Sequence, residues 1–200
     1  MVGLVKAFVF DIGGVLINYD SDIYYQYLSE ISGVAVKKIS RIVKEKIDIF
    51  EKGRIGVASF EKYISRNIGI ATDMVKWYEF YKEHVMLDQD MPDLINTLRN
   101  DYGYMIAYLT NVDKSKYYYS LRILNLDNFD YRFASCYIGL RKPDPRIYEY
   151  ILKKMVLKPQ EIVFVDNEKP NIDSALRIGM RAVLFENRRK LDVELGRIGI

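Results

Sequence analysis

Apolar residues follow two rhythms along this chain, and the rhythms divide it. The compact run from Val5 to Phe10, interrupted only by Lys6, stops at Asp11 and predicts a buried parallel strand with a carboxylate at its carboxyl end. Gly13 and Gly14 follow, where a tight turn or a close backbone approach to a ligand is allowed. Beyond Ile17 the spacing becomes helical. Tyr24, Tyr27, Leu28 and Ile31 share one face, and Val36, Ile39, Ile42, Val43, Ile47 and Phe50 make a second. After Gly53 and Gly56, Phe60, Ile64 and Ile68 suggest a third helix, and Met74, Trp77, Tyr78 and Tyr81 a fourth. No strand is expected between about Asn18 and Asp88.

From Met91 strands and helices alternate. A short helix leads to a strand over Tyr104–Leu109 that ends in Thr110-Asn111, and Lys114–Leu124 is helical. Phe133–Ile138 reads as a strand, GLRKPDP as a loop and Arg146–Met155 as a helix. Ile162–Val165 is a β-rich run ending in Asp166, followed by a helix near Asn171–Ile178 and a strand over Arg181–Phe185. The polar tail after Glu186 has no assigned element. Such alternation implies an α/β fold: a doubly wound, mostly parallel sheet with helices on both faces. The core is expected over 1–17 and 89–200, with an inserted helical cap over 18–88.

Composition narrows the classes. Half of the 200 residues are hydrophobic and 28% charged, with five prolines and twelve glycines, which excludes a disordered or collagenous chain. The net charge of +3 is too near balance to imply nucleic-acid binding. Arg188, Arg189 and Lys190 lack the interleaved aromatics of a nucleic-acid stripe. A single cysteine, Cys136, excludes an intrachain disulfide, and a single histidine, His84, excludes a multi-histidine metal site. Cys136 is expected inside a strand as a small core residue, and His84 as an ordinary polar residue. No run of 18 apolar residues is present and the N-terminus does not resemble a secretory signal, so no membrane span and a cytoplasmic location are expected.

Asp11, Thr110 with Asn111, and Asp166 all follow strands, and Lys142 lies in a Pro-rich loop after another. Ligands of open parallel sheets gather beyond the carboxyl ends of the strands. Two carboxylates, a hydroxyl, a lysine and glycine backbone there suit a phosphate and a divalent cation. FVFDIGGVL, LTN, RKPDPRIY and VFVDNEKPNIDSA together resemble the four ordered motifs of the haloacid dehalogenase-like (HAD) hydrolase superfamily. The resemblance covers nearly the whole chain and is strongest to small sugar-phosphate phosphatases with a helical cap, where FEKGRIGVASFEKYI also resembles cap sequence.

That resemblance implies a Rossmann-like core and a Mg²⁺-dependent phosphohydrolase acting on a small phosphorylated metabolite through an aspartyl-phosphate. Carried over by position, Asp11 matches the nucleophile and a metal ligand, the Gly13 carbonyl a second ligand, and Asp166 the acidic ligand of the fourth motif. Thr110 and Lys142 match phosphate-stabilising groups. Gly14 and Asn111 are placed with the substrate, and Asn167, Asn171 and Asp20 are auxiliary positions. Two departures stand out. Relatives usually carry Asp at the position of Gly13, to protonate the leaving group, and many carry a second Asp at Asn167. Asp20 and Asp22 are nearby substitutes for the missing acid. The departures motivate a second reading, a weak or inactive member that binds a ligand or protein. A 2-haloacid dehalogenase would need no metal and would resemble this chain less around Asp166. A phosphonate hydrolase would require a cap lysine, and none of Lys37, Lys38, Lys44, Lys46, Lys52, Lys62, Lys76 or Lys82 is marked by its surroundings.

Overall fold

A computed structural model describes residues 4–70 and 74–200. Five parallel strands form the central sheet: β1 (Ala7–Phe10), β4 (Met105–Thr110), β5 (Tyr131–Ala134), β6 (Ile162–Asp166) and β7 (Arg181–Leu184), in the order β5-β4-β1-β6-β7. All four residues of β1 are fully buried, because both faces of the sheet are covered. Phe8 and Phe10 pack into one hydrophobic cluster and Ala7 and Val9 into another, as the two-residue repeat of a strand requires. Each such Val or Phe contributes roughly 1.5–3 kcal/mol through burial.

Between β1 and the rest of the sheet run α1 (Ser21–Ser32), α2 (Val36–Glu51), α3 (Val57–Ile68) and α4 (Met74–His84). They share their own cluster, including Tyr24, Leu28, Ile39, Val43, Phe50, Phe60 and Ile64. The Phe50 and Phe60 rings stack with centroids 4.0 Å apart and fasten α2 to α3. The expected faces hold, except that Ile31 is exposed. In the fourth helix Tyr81 is buried, while the side chains of Met74, Trp77 and Tyr78 lie outside the described residues.

Two short strands frame this helical segment. β2 (Ile17–Asn18) pairs antiparallel with β3 (Met86–Leu87), with Ile17 opposite Leu87. Such two-residue strands carry no alternation to read in the sequence. The remaining helices are α5 (Met91–Asn96), α6 (Lys114–Ile123), α7 (Ser135–Ile138), α8 (Pro145–Met155), α9 (Lys169–Arg177) and α10 (Arg188–Arg197).

The strand expected over Phe133–Ile138 is corrected: β5 ends at Ala134 and α7 replaces its second half. Ser135 stops the strand. Its hydroxyl accepts from Val112 N–H at 2.9 Å and donates to the Glu51 carbonyl at 2.6 Å, and Gly139 closes the turn with φ 77°. Cys136 accordingly sits in that turn, buried as expected. The tail forms α10, capped by Asn187 on the Lys190 N–H and seated by Leu191 and Leu195. Among the described residues no helix is long and apolar enough to cross a membrane.

Candidate active site

Asp11 directly follows β1, Thr110 ends β4 and Asp166 ends β6. Since β4 and β6 flank β1, the three residues gather at one edge of the sheet. Lys142 joins them from the loop before α8, where its bond to Pro143 is cis. Its Nζ lies 2.9 Å from Asp11 Oδ1 and 2.6 Å from Asp166 Oδ2. Burial pushes the lysine pKa down, but the two carboxylates outweigh it and hold it above the ordinary value. For Asp11 burial dominates: its carboxyl is raised to about 7, with Lys142 opposing the rise and Asp166 adding to it. One ammonium serves two carboxylates, so the fully ionised cluster is one positive charge short of neutral.

Neighbouring groups fix these side chains. The Ile12 N–H donates to Asp11 Oδ1 at 2.6 Å, and the Glu168 N–H donates to Asp166 Oδ1 at 2.8 Å. Asn171 Nδ2 donates to both oxygens of Asp166, at 3.0 and 3.1 Å. Asn111 does not point its amide at open space. Its Oδ1 accepts from the Lys142 N–H at 2.8 Å and its Nδ2 donates to the Lys142 carbonyl at 2.9 Å. That pair ties Asn111 to the lysine backbone, and Asn111 also lines the cavity around Asp11.

The two glycines differ. Gly14 has φ 75°, which strains any other residue, and a Cβ there would come within 2.2 Å of Asn167 Nδ2 and displace that side chain. At Gly13 a Cβ would meet nothing within 4 Å. Asn167 therefore packs on Gly14. Asp20 is exposed and caps α1 by accepting from the Asp22 N–H at 2.8 Å, and neither it nor Asp22 lines the cavity around Asp11.

This cavity, about 700 Å³, is bounded by the strand ends and the helical segment. Its walls include Asp11, Gly13, Gly14, Thr110, Asn111 and Asn171 from the expected set. They also include Tyr19, Glu51, Lys116 and Arg141, which sequence reasoning missed. Arg141 opens the motif RKPDPRIY and Glu51 lies in the cap-like stretch FEKGRIGVASFEKYI, but neither was given a role, and no motif marked Tyr19 or Lys116. Tyr19 Oη, Glu51 Oε2 and Arg141 Nε are buried with no hydrogen-bond partner, although Arg141 Nη2 forms an ion pair with Glu51 Oε2 at 2.8 Å. The Lys116 ammonium lies over the rings of Tyr19 and Tyr81, 4.6 and 5.0 Å from their centroids.

The donor set suits a hard divalent cation. Two carboxylates supply oxygens, their charge is incompletely neutralised, and Asn171 Oδ1 is a buried oxygen with no hydrogen-bond partner beside them. Among the described residues no group of three or more His, Cys, Asp or Glu is arranged as a metal cage.

His84 and Cys136 are elsewhere. The His84 ring stacks on Phe80 and its Nδ1 lies 2.8 Å from the Phe80 carbonyl. Burial raises the Cys136 thiol to about 11, away from thiolate chemistry.

Residues 5–179 match the haloacid dehalogenase-like hydrolase family, and the chain belongs to it. It is a hydrolase of that family, with the parallel five-stranded core expected for it. It is 26% identical to the drimenol cyclase of Aspergillus calidoustus over 98% of its own length, yet spans only 37% of that protein. It is 28% identical to the sesquiterpene phosphatase of Aspergillus oryzae, covering 88% of this chain and 87% of that one. Among solved structures, a HAD family enzyme from Bacteroides thetaiotaomicron superposes with a TM-score of 0.82 at 21% identity, over 95% of this chain and 99% of that chain. A further crystal of that enzyme is a complex with magnesium and inorganic phosphate.

Proposed function

We propose that the protein is a Mg²⁺-dependent phosphohydrolase acting on a small phosphorylated metabolite. The observation that carries this is the buried Asp11–Lys142–Asp166 cluster, joined at 2.9 and 2.6 Å where the cavity meets the strand ends. Asp11 supplies an oxygen nucleophile to phosphorus, and an aspartyl-phosphate follows. Lys142 balances charge on that carboxylate and on the phosphoryl oxygens, and the Thr110 hydroxyl hydrogen-bonds the transferred group. Asp11, Asp166 and the Gly13 carbonyl are the groups to hold Mg²⁺, with Asn171 Oδ1 beside them. When bound, Mg²⁺ supplies electrostatic stabilisation of phosphoryl charge.

Residues 18–88 act as a cap in this reading, excluding bulk water and selecting the leaving group. The phosphatase and the magnesium–phosphate complex among the relatives support the same class. No membrane or nucleic-acid partner is part of the proposal, and the setting is cytoplasmic. Phosphate release from a panel of phosphorylated metabolites tests it directly. Turnover with Mg²⁺, its loss on chelation and its return with added Mg²⁺ are the expected results. Metal-independent halide release from a 2-haloacid would replace it with dehalogenation.

The second reading, a ligand-binding member with weak turnover, draws on Gly13, which has no side chain to donate a proton. Tight phosphate-ester binding without hydrolysis across the panel would select it.

A further inference from the structure

We infer that Glu51, reaching from the end of α2, is the acid–base residue that takes over the proton transfer Gly13 cannot perform. The inference rests on the phosphohydrolase reading. The residues lining the cavity include three carboxylates: Asp11, Glu51 and Glu168. Asp11 is placed for attack on phosphorus, and Glu168 is solvent-exposed. Glu51 faces the same cavity with its side chain only 17% exposed, and its Oε2 is held there by the Arg141 ion pair at 2.8 Å, with no further hydrogen-bond partner. Protonated, a carboxyl at this wall donates to a ligand's ester oxygen, and ionised it accepts from a hydroxyl or a water.

Its position is fixed independently of its carboxyl. The Ser135 hydroxyl holds the Glu51 carbonyl at 2.6 Å. The Gly53 backbone lies so close to the Cys136 carbonyl that a Cβ would meet it at 2.2 Å. The charged groups around the carboxyl are Arg141, Lys116 and Asp113. Burial raises the Glu51 pKa, while Arg141 and Lys116 oppose the rise, which favours a carboxyl able both to hold and to give a proton.

The step balances. Asp11 bonds to phosphorus, the ester P–O bond breaks with its electron pair on the alcohol oxygen, and the Glu51 proton moves to that oxygen. Glu51 carboxylate then takes a proton from water as the water oxygen bonds to phosphorus and Asp11 leaves. One ester and one water give one alcohol and one phosphate, and Glu51 is again protonated.

The test compares p-nitrophenyl phosphate with benzyl phosphate, similar in shape but unequal in need for a proton. In Glu51→Gln, kcat/KM for benzyl phosphate is expected to fall ~10²–10⁴-fold, and for p-nitrophenyl phosphate by at least about tenfold less. Glu51→Asp keeps a carboxyl beside Arg141 but shortens the reach, and is expected to show the same selectivity. Gly13→Asp has room for its side chain, and in the Glu51→Gln background recovery of benzyl phosphate turnover is the expected rescue. Equal losses on both substrates in both Glu51 variants would assign Glu51 to structure or binding and overturn the inference alone. Undiminished benzyl phosphate turnover in Glu51→Gln would do the same. Wild-type protein that cleaves neither ester with Mg²⁺ would overturn the phosphohydrolase reading and the inference together.

Discussion

At the strand ends, Lys142 Nζ lies within 2.9 Å of two carboxylates and Asn111 grips the lysine backbone on both sides. Elsewhere on the same cavity wall, Tyr19 Oη and Arg141 Nε are buried with no hydrogen-bond partner, and Glu51 Oε2 has only the Arg141 ion pair at 2.8 Å. The first region is preorganised for one invariant group and holds its charges against each other before any ligand arrives. The second leaves donors and acceptors unspent, at a desolvation cost of about 1–3 kcal/mol for each such group. In the proposed reading the first region meets the phosphoryl group and the second meets the alcohol side of the ester.

The sharpest way to break the comparison is at Asp11. Asp11→Asn is expected to keep the far-ultraviolet circular dichroism spectrum and to lower kcat by ~10⁴-fold or more, because removal of a nucleophile disables the whole ensemble. Full turnover in that variant would move the chemistry to the other region.

Stability separates the regions next. Lys142→Met leaves Asp11 and Asp166 buried against each other, and urea unfolding is expected to show a loss of about 3–5 kcal/mol. A change near zero would mean that the strand-end charges are not held as a unit.

The smallest expected effect lies in the adjacent glycines. Gly14→Ala forces a side chain into φ 75° and against Asn167, and is expected to cost about 1–3 kcal/mol. Gly13→Ala enters open space and is expected to cost less than about 1 kcal/mol. Equal costs, measured by the same unfolding assay, would erase the distinction between a packed and an open position.

Most of the strand-end region was legible in the sequence because short buried strands print both ends: the apolar run stops and the polar residue follows. Asp11, Thr110 and Asp166 are such stops. Around Glu51 only the resemblance of FEKGRIGVASFEKYI to cap sequence was legible, not the placing of its carboxyl. Glu51 reads as the last polar residue of an amphipathic helix, and only the docking of α2 against α7 turns it inward. Asp20 misled in the opposite sense, since closeness to Asp11 along the chain suggested chemistry where the structure places a helix cap. The broken strand at Ser135 was hidden for a related reason. A hydroxyl that bonds Val112 and Glu51 depends on residues far away in the sequence, and no local propensity records it.

The pairing of Ile17–Asn18 with Met86–Leu87 has a consequence for how such a molecule changes over generations. The chain leaves the sheet and returns to it through neighbouring strands, so everything between is an excursion with its two ends already joined. Lengthening a closed excursion costs only the logarithm of its length in chain entropy. Helices can thus be gained, lost or exchanged in residues 19–85 while β1 keeps its register with β4 and β6. The register of the sheet is thereby uncoupled from the length of the helical segment.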